Sequence, residues 1–201
     1  MSLSSKKYEQ KPLILLDIDG VVNAAGRKTR YWKDAKTIPS LEAIYPDGSS
    51  KKFQIMYSPT VVKAINRWSE VAEIKWLTSW DERADTYLGP ALGIKKLGVG
   101  RSSEDVFKLD AVVEWAKSNP GRAIIWIDDQ LSSFKSEHEM NPVYDEFIFK
   151  RKNTVLVSPV NGIIREHIEF VDRILADRRE TKDKRIIKFT EGAHNEGCVI
   201  C

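Results

Sequence analysis

The sequence predicts an α/β fold, a three-layer, Rossmann-like arrangement in which a doubly wound, mostly parallel sheet lies between helices. Short apolar runs typical of strands buried on both faces alternate with longer segments of helical periodicity. Such alternation favours a parallel sheet covered by helices on both sides. The 201 residues, 42% of them hydrophobic, are enough for one domain with a substantial core.

The first third of the chain predicts a strand, a hairpin and a helix. The run KPLILLDID, residues 11–19, is the first strand, and two carboxylates stand at its end. Pro46-Asp47-Gly48 lies between two partly alternating arms and predicts a β-hairpin over 41–58. Ser58 as N-cap, with Pro59 at the first helical position, predicts the start of the helix that follows.

The remainder predicts three more buried strands with helices between them: EIKWLTSW, RAIIWIDDQL and NTVLVSPVNG. We expect the helix after the first of these to end at Gly89-Pro90, and a helix over 102–118 to begin with serine caps and an acidic first turn. Residues 130–153 are long for a loop and predict a lid or a small added element. A helix over 163–180 closes the fold.

One domain is predicted over residues 1–175, with a flap or minimal cap at about 24–57, followed by a charged, flexible tail over 176–201. The formal net charge of +3 is weak evidence for a polyanionic partner. No apolar run reaches membrane-span length and no hydrophobic signal region is present, so we expect a cytoplasmic protein with no membrane partner.

Both cysteines, Cys198 and Cys201, lie in the last four residues, which excludes a disulfide framework for the core. The ending CVIC has the outline of a prenylation box, and its two thiols are half a zinc site at best. We expect a mobile, reactive tail instead.

Polar side chains follow the predicted strands at the points where they end. In parallel strands these ends meet at one edge of the sheet, where ligands bind. The set comprises Asp17 and Asp19 after the first strand, Thr78 and Ser79 after the second, Asp128 and Asp129 after the third, and Lys108 near the start of the intervening helix. Carboxylates with a lysine and a hydroxyl favour a magnesium–phosphate site, in which a dication offsets the repulsion between the acids.

Other interpretations of these residues stay open. Asp-Gly after a strand is common turn chemistry. Thr78 or Ser79 could cap a helix that begins near Asp81, and Lys95 or Lys96 could take the place of Lys108. Trp80 could line the mouth of the site, and three basic residues of the following loop could meet a charged substrate: Arg27, Lys28 and Arg30. The three histidines show no ligand spacing and are expected to be structural or on the surface: His138, His167 and His194.

The sequence resembles the haloacid dehalogenase (HAD) superfamily of phosphotransferases. LILLDIDGVV is similar to its first motif, IKWLTS to its second, Lys108 to its third and IIWIDD to its fourth, over about residues 12–175. A narrower similarity is to the small bacterial and phage HAD phosphatase domains, including those of RNA-repair proteins, which have a second motif like WLTSW.

The resemblance implies a role for each residue. Asp17 would be the nucleophile that forms an aspartyl-phosphate, and Asp19 the general acid and base. The Asp17 carboxylate, the backbone carbonyl of Asp19 and Asp128 would hold Mg²⁺, with Asp129 nearby. Thr78, with Ser79 as the alternative hydroxyl, and Lys108 would bind the phosphoryl oxygens.

HAD proteins select substrates with cap insertions, and this chain has room only for a hairpin flap. We therefore expect an open site for a phosphorylated small molecule or a nucleic-acid end, such as a polynucleotide 3′-phosphate. Two alternatives remain, a HAD-fold binding or regulatory module without turnover and a nucleic-acid-binding protein. The intact Asp17 and Asp19 pair favours the phosphatase. The oligomeric state is not predicted.

Overall fold

The computed structural model describes residues 10–24, 26, 31–101, 107–138, 140–176 and 186–188. Five parallel strands form the central sheet in the order β4-β1-β5-β6-β7. Their bounds are β1 Leu13–Leu16, β4 Glu73–Trp76, β5 Ile124–Ile127, β6 Thr154–Ser158 and β7 Ile186–Lys188. The predicted fold class, a doubly wound parallel α/β fold, is confirmed.

The flap is an antiparallel hairpin of β2 (Lys36–Ile44) and β3 (Ser50–Tyr57). Its first arm begins five residues earlier than the prediction of 41–58. Apolar and polar residues do not alternate regularly along KTIPSL. The strand register shifts between Ile38 and Leu41, as in a β-bulge, so this part of the arm has no simple strand pattern. The hairpin turn contains Gly48 at a φ of 82°, in the left-handed region that glycine adopts without strain.

Helices cover both faces of the sheet. Their bounds are α1 Pro59–Val71, α2 Gly89–Leu92, α3 Lys108–Ser118, α4 Leu131–His138, α5 Pro142–Tyr144 and α6 Arg165–Ala176. A π-helical segment, Ala84–Leu88, leads into α2, and another, Asp145–Phe149, follows α5. Helices α4 and α5 form the small added element expected between 130 and 153. No helix among the described residues is both long and apolar enough to cross a membrane.

Two predicted helix boundaries are wrong. The helix expected to end at Gly89-Pro90 continues to Leu92, because Pro90 lies in the first turn of α2, where its missing N–H costs little. Gly93, at a φ of 74°, ends it. Helix α3 begins at Lys108, after Phe107 in extended conformation. The predicted serine caps and the acidic residues that follow them lie outside the described residues.

Strand β7 was not predicted either. It lies in the segment expected to be a charged tail and pairs in parallel with β6 through Leu156 and Ile186. The cysteines, His194 and the basic residues Arg27, Lys28 and Arg30 lie outside the described residues.

Successive side chains of the first strand point to opposite faces of the sheet and join two different buried clusters. In β1, Ile14 and Leu16 belong to the cluster formed with α1 and α6, whereas Leu13 and Leu15 pack with α3 and α4. All four are inaccessible to solvent. Each such side chain contributes about 1.5–3 kcal/mol to the free energy of folding. This burial fixes the position of the chain that follows Leu16.

The base of the flap is tied to the loop after β6 through Trp32. Its indole donates to the Ile163 carbonyl oxygen at 2.6 Å, and its ring covers Gly162, whose φ is 82°. A Cβ at position 162 would lie 2.3 Å from a ring carbon of Trp32.

We therefore expect Gly162→Ala to lower the free energy of unfolding by more than about 2 kcal/mol, from backbone strain plus the collision. Urea denaturation measures it. Gly93→Ala is the matched control, since Gly93 is also left-handed but a Cβ there meets nothing within 4 Å. Equal losses in the two variants would contradict the role of Trp32.

His167 is buried in α6, and its Nδ1 accepts a hydrogen bond from the Ile164 amide at 3.1 Å. Burial lowers the pKa of His167 from 6.5 to about 4. Between pH 4 and pH 6.5 His167 is protonated in the unfolded chain but neutral in the folded one. Its contribution to the free energy of unfolding is therefore fully present above pH 6.5 and is lost as the pH falls towards 4.

This linkage amounts to roughly 3 kcal/mol. We expect His167→Asn, which keeps an acceptor near the position of Nδ1, to lower stability at pH 7.5 but to lose less on transfer to pH 5 than wild type does. Urea denaturation at both pH values measures the difference. Parallel pH dependence of the two proteins would show that His167 does not carry the linkage.

Candidate active site

The chain after β1 turns sharply around one carbonyl group. The amides of Val21, Val22 and Asn23 all donate to the Ile18 oxygen, at 2.8–3.1 Å. Gly20 has a φ of 83°, and its amide donates to the Asn23 oxygen at 2.7 Å. This compact turn holds the segment Asp17-Ile18-Asp19 at the carboxyl edge of the sheet.

Parallel register brings Asp17 beside Asp128. Leu16 pairs with Ile127, and the Asp17 amide donates to the Ile127 oxygen at 3.0 Å. Both carboxylates are buried. The Lys108 ammonium lies 3.1 Å from Asp17 Oδ1 and 2.8 Å from Asp128 Oδ2, so one cation bridges the two acids.

The electrostatics of this trio follow from burial. Burial, and then the charge of Asp128, raises the pKa of Asp17 to about 7 despite the opposing effect of Lys108. Burial also raises the pKa of Asp128, against the influence of Lys108. Burial opposes the charge of Lys108, but Asp128 and Asp17 outweigh it and raise the pKa of the amine. One lysine therefore does not fully compensate two buried carboxylates, and further positive charge would be accommodated here.

Three carboxylates could hold such a charge. Oxygens of Asp17, Asp128 and Asp129 lie within 4.8 Å of one another. A set of hard oxygen ligands fits Mg²⁺, which binds through few carboxylates and keeps several waters. Ser158 stands one position beyond the Ile127–Val157 pair. Within the described part of the chain its buried hydroxyl has no hydrogen-bond partner, so it offers a further oxygen at this edge.

Asp19 does not join this cluster through its carboxylate. Asn23 Nδ2 donates to Asp19 Oδ1 at 2.8 Å, and Trp80 Nε1 donates to Asp19 Oδ2 at 2.9 Å. The Asp19 carboxylate is therefore not one of the three whose oxygens lie within 4.8 Å of one another. The backbone carbonyl of Asp19 as a metal ligand stays a prediction.

The two hydroxyls after β4 differ in exposure. Thr78 is buried and Ser79 is exposed. Thr78 lies just beyond the Leu77 amide, which donates to the Leu16 oxygen at 2.9 Å, and is therefore next to β1. This placement favours Thr78 as the phosphate-binding hydroxyl. Asp81, where a capped helix was considered, has a left-handed φ of 48°, and its carboxylate binds Arg101 Nε at 2.6 Å.

The remaining candidates lie elsewhere. Lys95 and Lys96 are exposed, and the Lys95 amide contacts Asn66 of α1. His138 packs against the rings of Phe107 and Tyr144, and His167 is part of the α6 packing.

Sequence reasoning missed the contribution of Asn23. An asparagine six residues after Asp17 gave no signal, because its contact with Asp19 depends on the turn around Ile18. Trp80 was considered for the mouth of the site, but its hydrogen bond to Asp19 was not predicted.

Comparison with known proteins gives one family match. A model described as the HAD domain in Swiss Army Knife RNA repair proteins matches residues 13–168. No curated protein matches the chain.

Two solved structures are similar. One is Fcp1, an essential RNA polymerase II CTD phosphatase, at 13% identity and a TM-score of 0.39. The other is fission yeast Fcp1 bound to beryllium fluoride, at 14% identity and a TM-score of 0.37. Each alignment covers 85% of this chain and 51% of the other, so the chain spans about half the length of these structures.

Proposed function

We propose, because the chain belongs to the family of HAD domains in Swiss Army Knife RNA repair proteins, that it is a Mg²⁺-dependent phosphatase. The observation that carries the proposal is the pair of buried carboxylates, Asp17 and Asp128, bridged by Lys108, with Asp129 beside them. A binding module without turnover would not need Asp17 as nucleophile, Lys108 and Asp19 together.

In the first step Asp17 attacks phosphorus. A bond forms between its carboxylate oxygen and phosphorus as the ester P–O bond breaks, and Asp19 gives its proton to the leaving oxygen. Lys108 and the Thr78 hydroxyl stabilise the charge on the phosphoryl oxygens.

In the second step water attacks the aspartyl-phosphate. Asp19 takes the proton of that water, and Asp17 is released with inorganic phosphate. Asp17, Asp128 and Asp129 would hold Mg²⁺, which when bound supplies charge neutralisation for the acids and the phosphate.

The proposed substrate is a nucleic-acid end that carries a 3′-phosphate, with small nucleotides as the less favoured class. The family name supports RNA ends, and the cover beside the site is a two-stranded hairpin rather than a cap domain in the described part of the chain. An open site of this kind admits a polymer terminus.

The test is a panel of matched RNA oligonucleotides with a 3′-phosphate or a 5′-phosphate, plus a nucleoside 3′-monophosphate, with Mg²⁺ or with excess EDTA. We expect phosphate release only when Mg²⁺ is present, and we expect it to be fastest from the 3′-phosphorylated oligonucleotide. Preference for the mononucleotide would reject the polymer substrate, and no release from any ester, despite Mg²⁺-induced thermal stabilisation, would favour a binding module.

A further inference from the structure

Both carboxylate oxygens of Asp19 are held by side chains from different loops. Asn23, in the turn after β1, donates to Oδ1 at 2.8 Å. Trp80, in the loop after β4, donates to Oδ2 at 2.9 Å. Two directional bonds from separate elements fix the orientation of the carboxylate, which a single bond would leave free to rotate.

Both donors are in turn fixed to the same flap strand, β3. Asn23 Oδ1 accepts from the Met56 amide at 3.0 Å, and the Ala24 amide donates to the Met56 oxygen at 2.8 Å. The ring of Trp80 packs on Phe53, with centroids 4.5 Å apart and planes tilted by 44°. A displacement of the hairpin would therefore move both donors.

We propose that Asn23 and Trp80 are positioning residues that hold Asp19 at the leaving oxygen and make its position depend on the flap. The proposal rests on the proposed function for the role of Asp19. A general acid has to lie within hydrogen-bond reach of the oxygen that it protonates, and an error of 1 Å can cost about 100-fold in rate.

The kinetic test compares two esters that differ in their need for an acid. The nitrophenolate of an aryl phosphate leaves without a proton, whereas the alkoxide of a nucleoside 3′-phosphate has to be protonated. Trp80→Phe removes the indole N–H and keeps an aromatic ring against Phe53. We expect kcat/KM for the nucleoside ester to fall about 10-fold or more and kcat/KM for the aryl ester to change less than about 3-fold.

Trp68→Phe is the matched control. The Trp68 indole also donates to a carboxylate, that of Asp172 at 2.8 Å, but this pair joins α1 to α6. We expect no change in the ratio of the two kcat/KM values. Phe53→Leu tests the flap link and should reproduce the selective loss of Trp80→Phe. Equal losses on both esters, or none, would overturn the positioning role.

A second readout does not depend on turnover. Indole N–H protons resonate downfield of the backbone amides in NMR spectra, and the signal of Trp80 is identified by its absence in Trp80→Phe. We expect Asp19→Ala and Phe53→Leu to shift this signal and speed its exchange with solvent, and Trp68→Phe to leave it in place. A signal that responds while wild type cleaves neither ester would reject the proposed function and keep the link, and a signal that does not respond would reject the link.

Discussion

Asp17→Asn is expected to abolish the hydrolysis of a generic aryl phosphate, with a loss of at least about 1,000-fold in kcat. The amide is nearly isosteric with the carboxylate but is a poor nucleophile, so the covalent step fails. The measurement is phosphate release by wild type and variant at saturating Mg²⁺.

The variant should also be at least as stable as wild type. Asp17 is buried beside Asp128, and its raised pKa shows that its charge is disfavoured in the free protein. Removing the charge relieves that repulsion while Lys108 keeps Asp128 as a partner. Thermal unfolding checks this point and separates lost chemistry from lost folding. Activity within 10-fold of wild type in a folded variant would reject Asp17 as the nucleophile.

Lys108→Met is expected to lower kcat/KM by about 100-fold or more and to destabilise the free protein by roughly 3 kcal/mol. Methionine keeps the length and apolar character of the side chain but leaves Asp17 and Asp128 buried without their shared cation. Breaking a buried ion pair from one side costs more than the pair itself contributes, because the remaining charge has no counterpart.

Mg²⁺ should restore much of that stability, because a dication can take over the compensation of the acids. Urea denaturation of the variant with and without Mg²⁺ measures the recovery. Lys95→Met and Lys96→Met are the controls, since both lysines are exposed and neither should change activity or stability by more than a small amount. A similar loss of activity in either control would contradict the assignment of Lys108 as the phosphate-binding lysine.

The sequence predicts the skeleton of the site because that skeleton follows from strand ends. Asp17, Thr78 and Asp128 come together through parallel register alone, which the pattern of buried runs already implies. Lys108 needed the motif order as well. Helix α3 begins at Lys108 itself, directly after the extended Phe107, and not at the serines that predict an earlier start.

Other features could not be read from local sequence. Whether Thr78 or Ser79 turns inward depends on how the chain leaves β4, and only the fold decides it. The bond of Asp19 to Asn23 depends on the turn after β1, and its bond to Trp80 joins segments 61 residues apart. Strand β7 has only three residues within a charged stretch of the sequence, and its parallel pairing with β6 could not be read from that stretch.

The central place of β1 has a consequence for how the protein folds. Leu13 pairs with Glu73 on one side and with Ile124 on the other, so the partners of the first strand are synthesised about 60 and 110 residues later. Contacts this distant in sequence slow folding, because long loops have to close first. On the ribosome Asp17 is made early, yet it meets Lys108 and Asp128 only after β5 has emerged. A nascent chain that ends before β5 therefore carries Asp17 and Asp19 without these partners.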